Sequence, residues 1–581
     1  MKKLYIIMAL MLCAVCVPAQ TLDKEINSLM GKYALFEVTN SYFTMLDSLY
    51  PEQATRAGLE TSGLQLNDRT TKTDEKRREA LADIKNMIGK VKYKKLTPAE
   101  KIDYEIIRRS VDYENYLLNK NLNSTSPMYY LEAQDAVYDL LLKKINSLRQ
   151  FKDVQPRLAM LPDTFIDGVT NIKTVDKQEA ALAVNKAYAA FMSMSDYQNF
   201  LRKNADDAID RARLDRIMAE ESAALRQFFN YIKALEKTAK PTKKNDAEYR
   251  ILLKNKLHID KPLSDLNKMT EAALAKSKNN FAIMIKAFTG KDAVKISDFY
   301  TLAAKNNTAP KYERLLTTIG DEIENANKAL NAVLPGSEMK VFVNHMPKYP
   351  SFLNPSFLFL PPYGVEHNLI GTLFIYTPNN AKERNAHIKR NFNMSRIKLL
   401  VTESVVPGRQ MFYSYSYETK PIRRVLSSDA MVDGWAAYAK HLAYETGYLN
   451  TKDDALLLAY DDYVRAVVAL ADIKFNTNEL DYDETVLFLN SQGLDKEDAE
   501  RYTKHIAFKP GQKVAELVAF EEIKAQRKKF ENLFGETFSL PRFHDKLFAI
   551  GKVPVHMLGA ELEQDYKKDR AAGLYMPKAD L

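Results

Sequence analysis

The sequence predicts a mainly α-helical fold, one large helical body carrying a small β-sheet. Three observations predict it. Long stretches place apolar residues three and four apart, the helical period. Glycine is scarce, 19 in 581 residues. One region, beginning near residue 335, is instead written in short β-branched and aromatic runs bounded by Pro and Gly.

The chain opens with Met1-Lys2-Lys3, then the apolar run "LYIIMALMLCAVCV", then Val17 and Ala19 at the −3 and −1 positions of a signal-peptidase site. Residues 1–19 are therefore expected to be a secretory signal, leaving Gln20 first. A membrane helix is one alternative, disfavoured because the run falls short of the ~20 residues a span needs. A lipoprotein start at Cys13 or Cys16 is another, disfavoured because Leu12 and Val15 precede them where a small residue is wanted. Both cysteines of the chain lie here. The rest then has no disulfide, no thiolate zinc site and no cysteine nucleophile. The expectation is an exported protein, periplasmic or secreted, with no transmembrane segment after cleavage.

Residues 20–334 form an N-terminal helical region. "EINSLMGKYALFEVTNSYFTMLDSLY" and "LDRIMAEESAALRQFFNYIKALEKTAK" carry the helical spacing, and "TPAE" has the form of a capping box, Thr97 as cap and Glu100 three residues on. Residues 335–581 form a second region. "MKVFVNHMP", "SFLFLPPYG" and "GTLFIYTPNN" predict the sheet, and helices are predicted over 383–403, 428–447, 453–475, 483–492, 496–506 and 511–534. No linker or repeat separates the two regions, so one compact body is expected.

Charge narrows the function. The net charge is +9, from 84 basic and 75 acidic residues of interspersed sign. No sustained basic block appears, which argues against nucleic-acid binding. The eight histidines never fall three or four apart, so no helix face offers a histidine pair for a metal. No G-x-S-x-G, Walker A or G-x-G-x-x-G pattern occurs.

Four stretches carry chemistry by resemblance. "VTESVVPGRQ" (401–410), "MVDGWAAYAKHLAYETGYL" (431–449), "YVRAVVALADIKFN" (463–476) and the segment from "KPGQKVAELVAFEEI" to "FSLPRFHDKLFAIGKVPVHML" (509–558) stand in order. Together they resemble the bacterial family called domain of unknown function 885, whose members look like zinc metallopeptidases with an H-E-x-x-P-G-H motif. The resemblance implies a gluzincin-type helical arrangement. Aligned on Pro407-Gly408, the family's first histidine ligand falls on Glu403, its catalytic glutamate on Ser404 and its second histidine on Arg409. The third ligand falls on Asp433, a further histidine on Asn476 and a tyrosine on Glu516, while His544 is kept. An alternative alignment places Thr402 at the first ligand and Glu403 at the catalytic glutamate, and it too lacks histidines.

These replacements speak against catalysis by a metal. Arginine has no lone pair to give and stays charged, and an unassisted serine is no general base near neutral pH. Glu403 and Asp433 remain as remnant oxygen donors; Arg409 either bridges them as a substitute cation or is simply exposed after the Pro-Gly turn. No cofactor is expected; zinc would be the one if the site is not degenerate. Tyr413, Tyr415, Trp435 and Tyr438 are expected to line a cleft, with the protein core as the other place for such rings. The expected function is that of a metallopeptidase-like protein without hydrolytic activity, binding a peptide or glycan or acting as an accessory protein. The alternative is a hydrolase using Glu403, Asp433 and His544 in a non-standard or metal-free site.

Overall fold

The structure, a computed structural model, describes residues 19–571 except 60–63, 144–149, 204, 206, 243–245, 292–293, 306–307, 335–338, 348–354, 363 and 365–368. The expected signal segment up to residue 18, with Cys13 and Cys16, lies outside the described residues, as does His367. No described helix is long and apolar enough to cross a membrane.

The architecture is mainly helical with a three-stranded sheet. Ahead of the sheet run helices α1 (Pro98–Asn119), α2 (Pro127–Lys143), α3 (Lys177–Lys203), α4 (Ala208–Thr238) and α5 (Leu263–Thr289), among others. The predicted capping box starts α1: the Glu100 N–H donates to Thr97 Oγ1 at 3.3 Å, and the Thr97 N–H donates to Glu100 Oε2 at 2.8 Å. The strands are β1 (Val341–His345), β2 (Phe357–Leu360) and β3 (Gly371–Ile375), in the order β1-β3-β2. β3 pairs parallel to β1 and antiparallel to β2.

The sheet divides two apolar cores, and the period of two along a strand does the dividing. Leu373 and Ile375 of β3 enter the larger core, and Phe374 between them enters the smaller. β2 repeats the alternation, with Phe357 and Phe359 on the larger core and Leu358 and Leu360 on the smaller. The smaller core is built mainly from residues 130–232, and the larger draws on residues from both sides of the sheet. The change of texture at residue 335 thus marks the sheet, not a boundary between cores. Arg423 ties early and late chain together: its Nε donates to Asp103 Oδ1 at 2.8 Å and its other nitrogens to the Ile550 and Ala99 carbonyls.

After the sheet come α6 (Met394–Ser404), α7 (Arg409–Tyr415), α8 (Ala430–Glu445), α9 (Lys452–Asn476), α10 (Lys496–Phe508), α11 (Gln512–Phe534) and α12 (Leu540–Ile550). The single helix expected over 383–403 is two helices, because Asn393 caps the second with its side chain accepting the Arg396 N–H at 3.0 Å. α8 is buried on nearly every side, the pattern of a helix inside a large core. It packs on α11 so closely that a Cβ on Gly434 would lie 2.5 Å from the Ala519 Cβ.

Candidate ligand cavity and its ion cluster

The Pro-Gly turn between α6 and α7 positions the site. Its carbonyls are pinned by the one tryptophan of the chain: Trp435 Nε1 donates to Pro407 O at 2.6 Å and Gly408 O at 3.2 Å. Residue 408 must be glycine, since a Cβ there would meet the Glu403 carbonyl oxygen at 2.0 Å. This close return brings the first residue of α7, Arg409, back beside Glu403 near the end of α6.

The Arg409 guanidinium stands between the two acids rather than turning out to solvent. It donates to Glu403 Oε1 at 2.7 Å through one terminal nitrogen, and to Asp433 Oδ1 through Nε at 3.3 Å and the other terminal nitrogen at 3.2 Å. A second cation, unforeseen, completes the cluster. Lys440 on α8 donates to Glu403 Oε2 at 3.0 Å and also pairs with Asp461. In the resembling motif the corresponding residue is the second glutamate of E-G-W-A-x-Y-A-E; that reversal of charge was the signal available in the sequence. Gln512 donates to Asp433 Oδ2 at 3.2 Å. Beyond it, Arg465 joins Asp462 at 2.7 Å and Glu516 at 3.0 Å, and Lys513 donates to Glu516 at 2.7 Å.

The electrostatics follow from burial set against these partners. Burial alone would raise the Glu403 carboxyl; Lys440 and Arg409 outweigh it and hold it far below the usual carboxylate range. Burial would likewise raise Glu516, but Lys513 and Arg465 bring it down to about 2. Asp433 shifts up, from burial first and then from Glu516 and Asp429, with Arg409 offsetting part. Glu403 and Arg409 therefore remain a charged pair at neutral pH.

These residues face a cavity of about 1590 Å³. Glu403, Arg409, Asp433, Lys440 and Glu516 lie on one wall, while Tyr113, Glu132 and Lys186, from helices ahead of the sheet, lie on another. The N-terminal region thus contributes a large part of the lining. Asn476 also lines the cavity, but it turns to its own helix, donating to Asp472 Oδ1 at 2.7 Å. Asp472 in turn accepts the Gly511 N–H at 2.9 Å and anchors the turn that starts α11.

The remaining expected site residues are placed elsewhere. Ser404 is fully buried, does not line the cavity, and its Oγ has no protein partner. His544 is fully buried, with Nδ1 donating to Val333 O at 3.0 Å and Nε2 accepting from Tyr438 OH at 3.0 Å. Burial pushes its pKa down to about 3, leaving a neutral imidazole inside the core. An acid–base role for it beside Glu403 and Asp433 is thereby corrected, because both ring nitrogens are engaged away from the cavity. The four aromatic residues expected on the cleft are absent from its walls. Trp435 and Tyr438 pack in the core around His544, Tyr415 stacks on Phe548, and Tyr413 donates to Asp429 at 3.0 Å. Their apolar faces gain more from ring packing than from an open wall.

Zinc is the ion the resemblance implies, and this donor set does not fit it. The guanidinium occupies the space between the two carboxylates, and Lys440 and Gln512 engage further lone pairs of theirs. Among the described residues, no group of three or more His, Cys, Asp or Glu side chains could hold a metal ion.

A mainly helical body around an ion-paired cavity is the class that fold and site define. The chain belongs to the family described as bacterial protein of unknown function, DUF885, which matches residues 51–562. Two solved structures share the fold. A candidate lipoprotein of unknown function from Shewanella oneidensis has 16% identity and a TM-score of 0.72, over 91% of this chain and 99% of that one. A candidate lipoprotein from Colwellia psychrerythraea has 16% identity and a TM-score of 0.75, over 92% and 99%. No curated protein matches the chain.

Proposed function

We propose that this chain is an exported, metallopeptidase-like protein that binds a peptide or glycan in its cavity without hydrolysing it. One observation carries the reading: Arg409 lies between Glu403 and Asp433 at hydrogen-bonding distance of both. A fixed cation there repels a divalent ion and leaves neither carboxylate free to activate water. The amino-terminal Met1-Lys2-Lys3 and the apolar run to Val17 support export. The mixed acidic, basic and aromatic walls support a polar, extended ligand over a lipid.

The test has two parts. Zinc content is measured after dialysis against zinc, together with cleavage of a mixed peptide library. The expected result is no stoichiometric zinc and no cleavage, with saturable binding of some peptides or oligosaccharides by calorimetry. Cleavage abolished by a chelator would overturn the reading. Cleavage indifferent to a chelator would favour a hydrolase working through Asp433 or its neighbours.

A further inference from the structure

Resting on the reading that the cavity binds a ligand, we propose that it holds that ligand by a carboxylate end group, at His505 and Lys509 where α10 ends. Arg501 and His505 stand four residues apart on one face of this helix, Lys509 caps its C-terminal end, and all three line the cavity with Lys513. Two of the three cations, Arg501, Lys509 and Lys513, are already neutralised: Arg501 pairs with Asp498 at 2.7 Å and Lys513 with Glu516 at 2.7 Å. Lys509 is exposed to the cavity and forms no ion pair among the described residues. Asp139, an acid whose carboxyl feels Lys509, is paired with Arg56 at 2.9 Å.

His505 supplies a donor beside that free charge. Its Nδ1 is buried and has no partner. A buried N–H without an acceptor costs more than an idle lone pair, so the proton sits on Nε2, the nitrogen left open to the cavity. Burial, with Lys513 and Lys509 beside it, pushes its pKa down to about 3, so it is a neutral N–H donor. One oxygen of a carboxylate meets Lys509 and the other meets His505. The surplus charge here is one, which suits a monoanion; a phosphate dianion would carry a charge with no partner into a partly buried site.

Two sources can supply such a group, a peptide C-terminus or an acidic sugar. The experiment titrates the intact protein, by calorimetry, with a neutral-side-chain tripeptide bearing a free C-terminus, with the same tripeptide amidated, and with a uronic-acid trisaccharide. Each is repeated on Lys509→Gln. Amidation and Lys509→Gln are each expected to weaken the free tripeptide about tenfold, the worth of one charge-assisted hydrogen bond, and Lys509→Gln is expected to leave the amide unchanged. Binding of the trisaccharide alone, weakened about tenfold in Lys509→Gln, supports the carboxylate site with a sugar as its source. Equal affinity for free and amidated tripeptide, with no effect of Lys509→Gln on any probe, overturns the carboxylate site and leaves the binding reading standing. No binding of any probe by the unaltered protein removes both.

Discussion

Lys440 provides the sharpest test of the proposal that this cavity disfavours a metal. Take the double variant Glu403→His, Arg409→His, which puts histidines at both aligned ligand positions and keeps Asp433 as third donor. Lys440 remains, its ammonium 3.0 Å from the Glu403 carboxylate and its side chain 4% exposed. Zinc ligated from position 403, with a bond of ~2 Å, would lie roughly 5 Å from that ammonium. At an effective dielectric constant of ~20 the dication and the lysine repel by ~7 kcal/mol. Asp461, paired with Lys440, offsets about half, leaving ~3 kcal/mol, or about a hundredfold in affinity. The double variant is therefore expected to bind zinc about a hundredfold more weakly than the quadruple variant that also removes the ion pair by Lys440→Gln and Asp461→Asn. The assay is competition for zinc against a chromophoric chelator, with circular dichroism to verify that both variants fold. Equal zinc affinity in the two would refute the role given to Lys440. Tight zinc binding by the unaltered chain would refute the role given to Arg409 as well.

Three more outcomes are expected. Trp435→Phe removes the donor to the Pro407 and Gly408 carbonyls and should cost ~1–3 kcal/mol, read as a lower urea midpoint by circular dichroism; an unchanged midpoint would mean the turn is held by other contacts. Gly408→Ala, which drives a Cβ against the Glu403 carbonyl oxygen at 2.0 Å, should cost ~3 kcal/mol or more by the same measurement, and a variant as stable as the parent would show that the turn yields. The third concerns pH. Glu516 is held at about 2, below an unfolded glutamate at ~4.3, so its stabilisation is complete above that value and is lost as pH falls toward ~2. Glu516→Gln should flatten the fall of stability with pH across this window; an identical slope in urea titrations at stepped pH would count against the Lys513 and Arg465 pairing.

Much of the architecture was legible in the residues. Helical periodicity marked the segments that became α8, α9 and α11, and the three β-branched runs became the three strands, because period and propensity are local properties. The break at Asn393 was missed, since nothing in an otherwise helical run says whether an asparagine caps or continues. At the site, the inability of Arg409 to ligate was readable from its chemistry alone. What could not be read was direction. His544 and Tyr438 look available in sequence, yet they turn toward each other in the core. Lys440 looks like an ordinary helical lysine, yet α8 aims it at Glu403, 37 positions away.

The residues alone therefore determined the helical class, the place of the small sheet and the chemistry each side chain can offer, because those depend on nearest neighbours and on atom types. Packing decided which of those groups meet. The wall carrying Tyr113, Glu132 and Lys186 reaches the cavity through folding of distant chain, secured by pairs such as Arg423 with Asp103, 320 residues apart. Whether a carboxylate faces a metal or a cation is settled by such long-range contacts, since its charge state follows from what burial removes and what the opposing helix supplies.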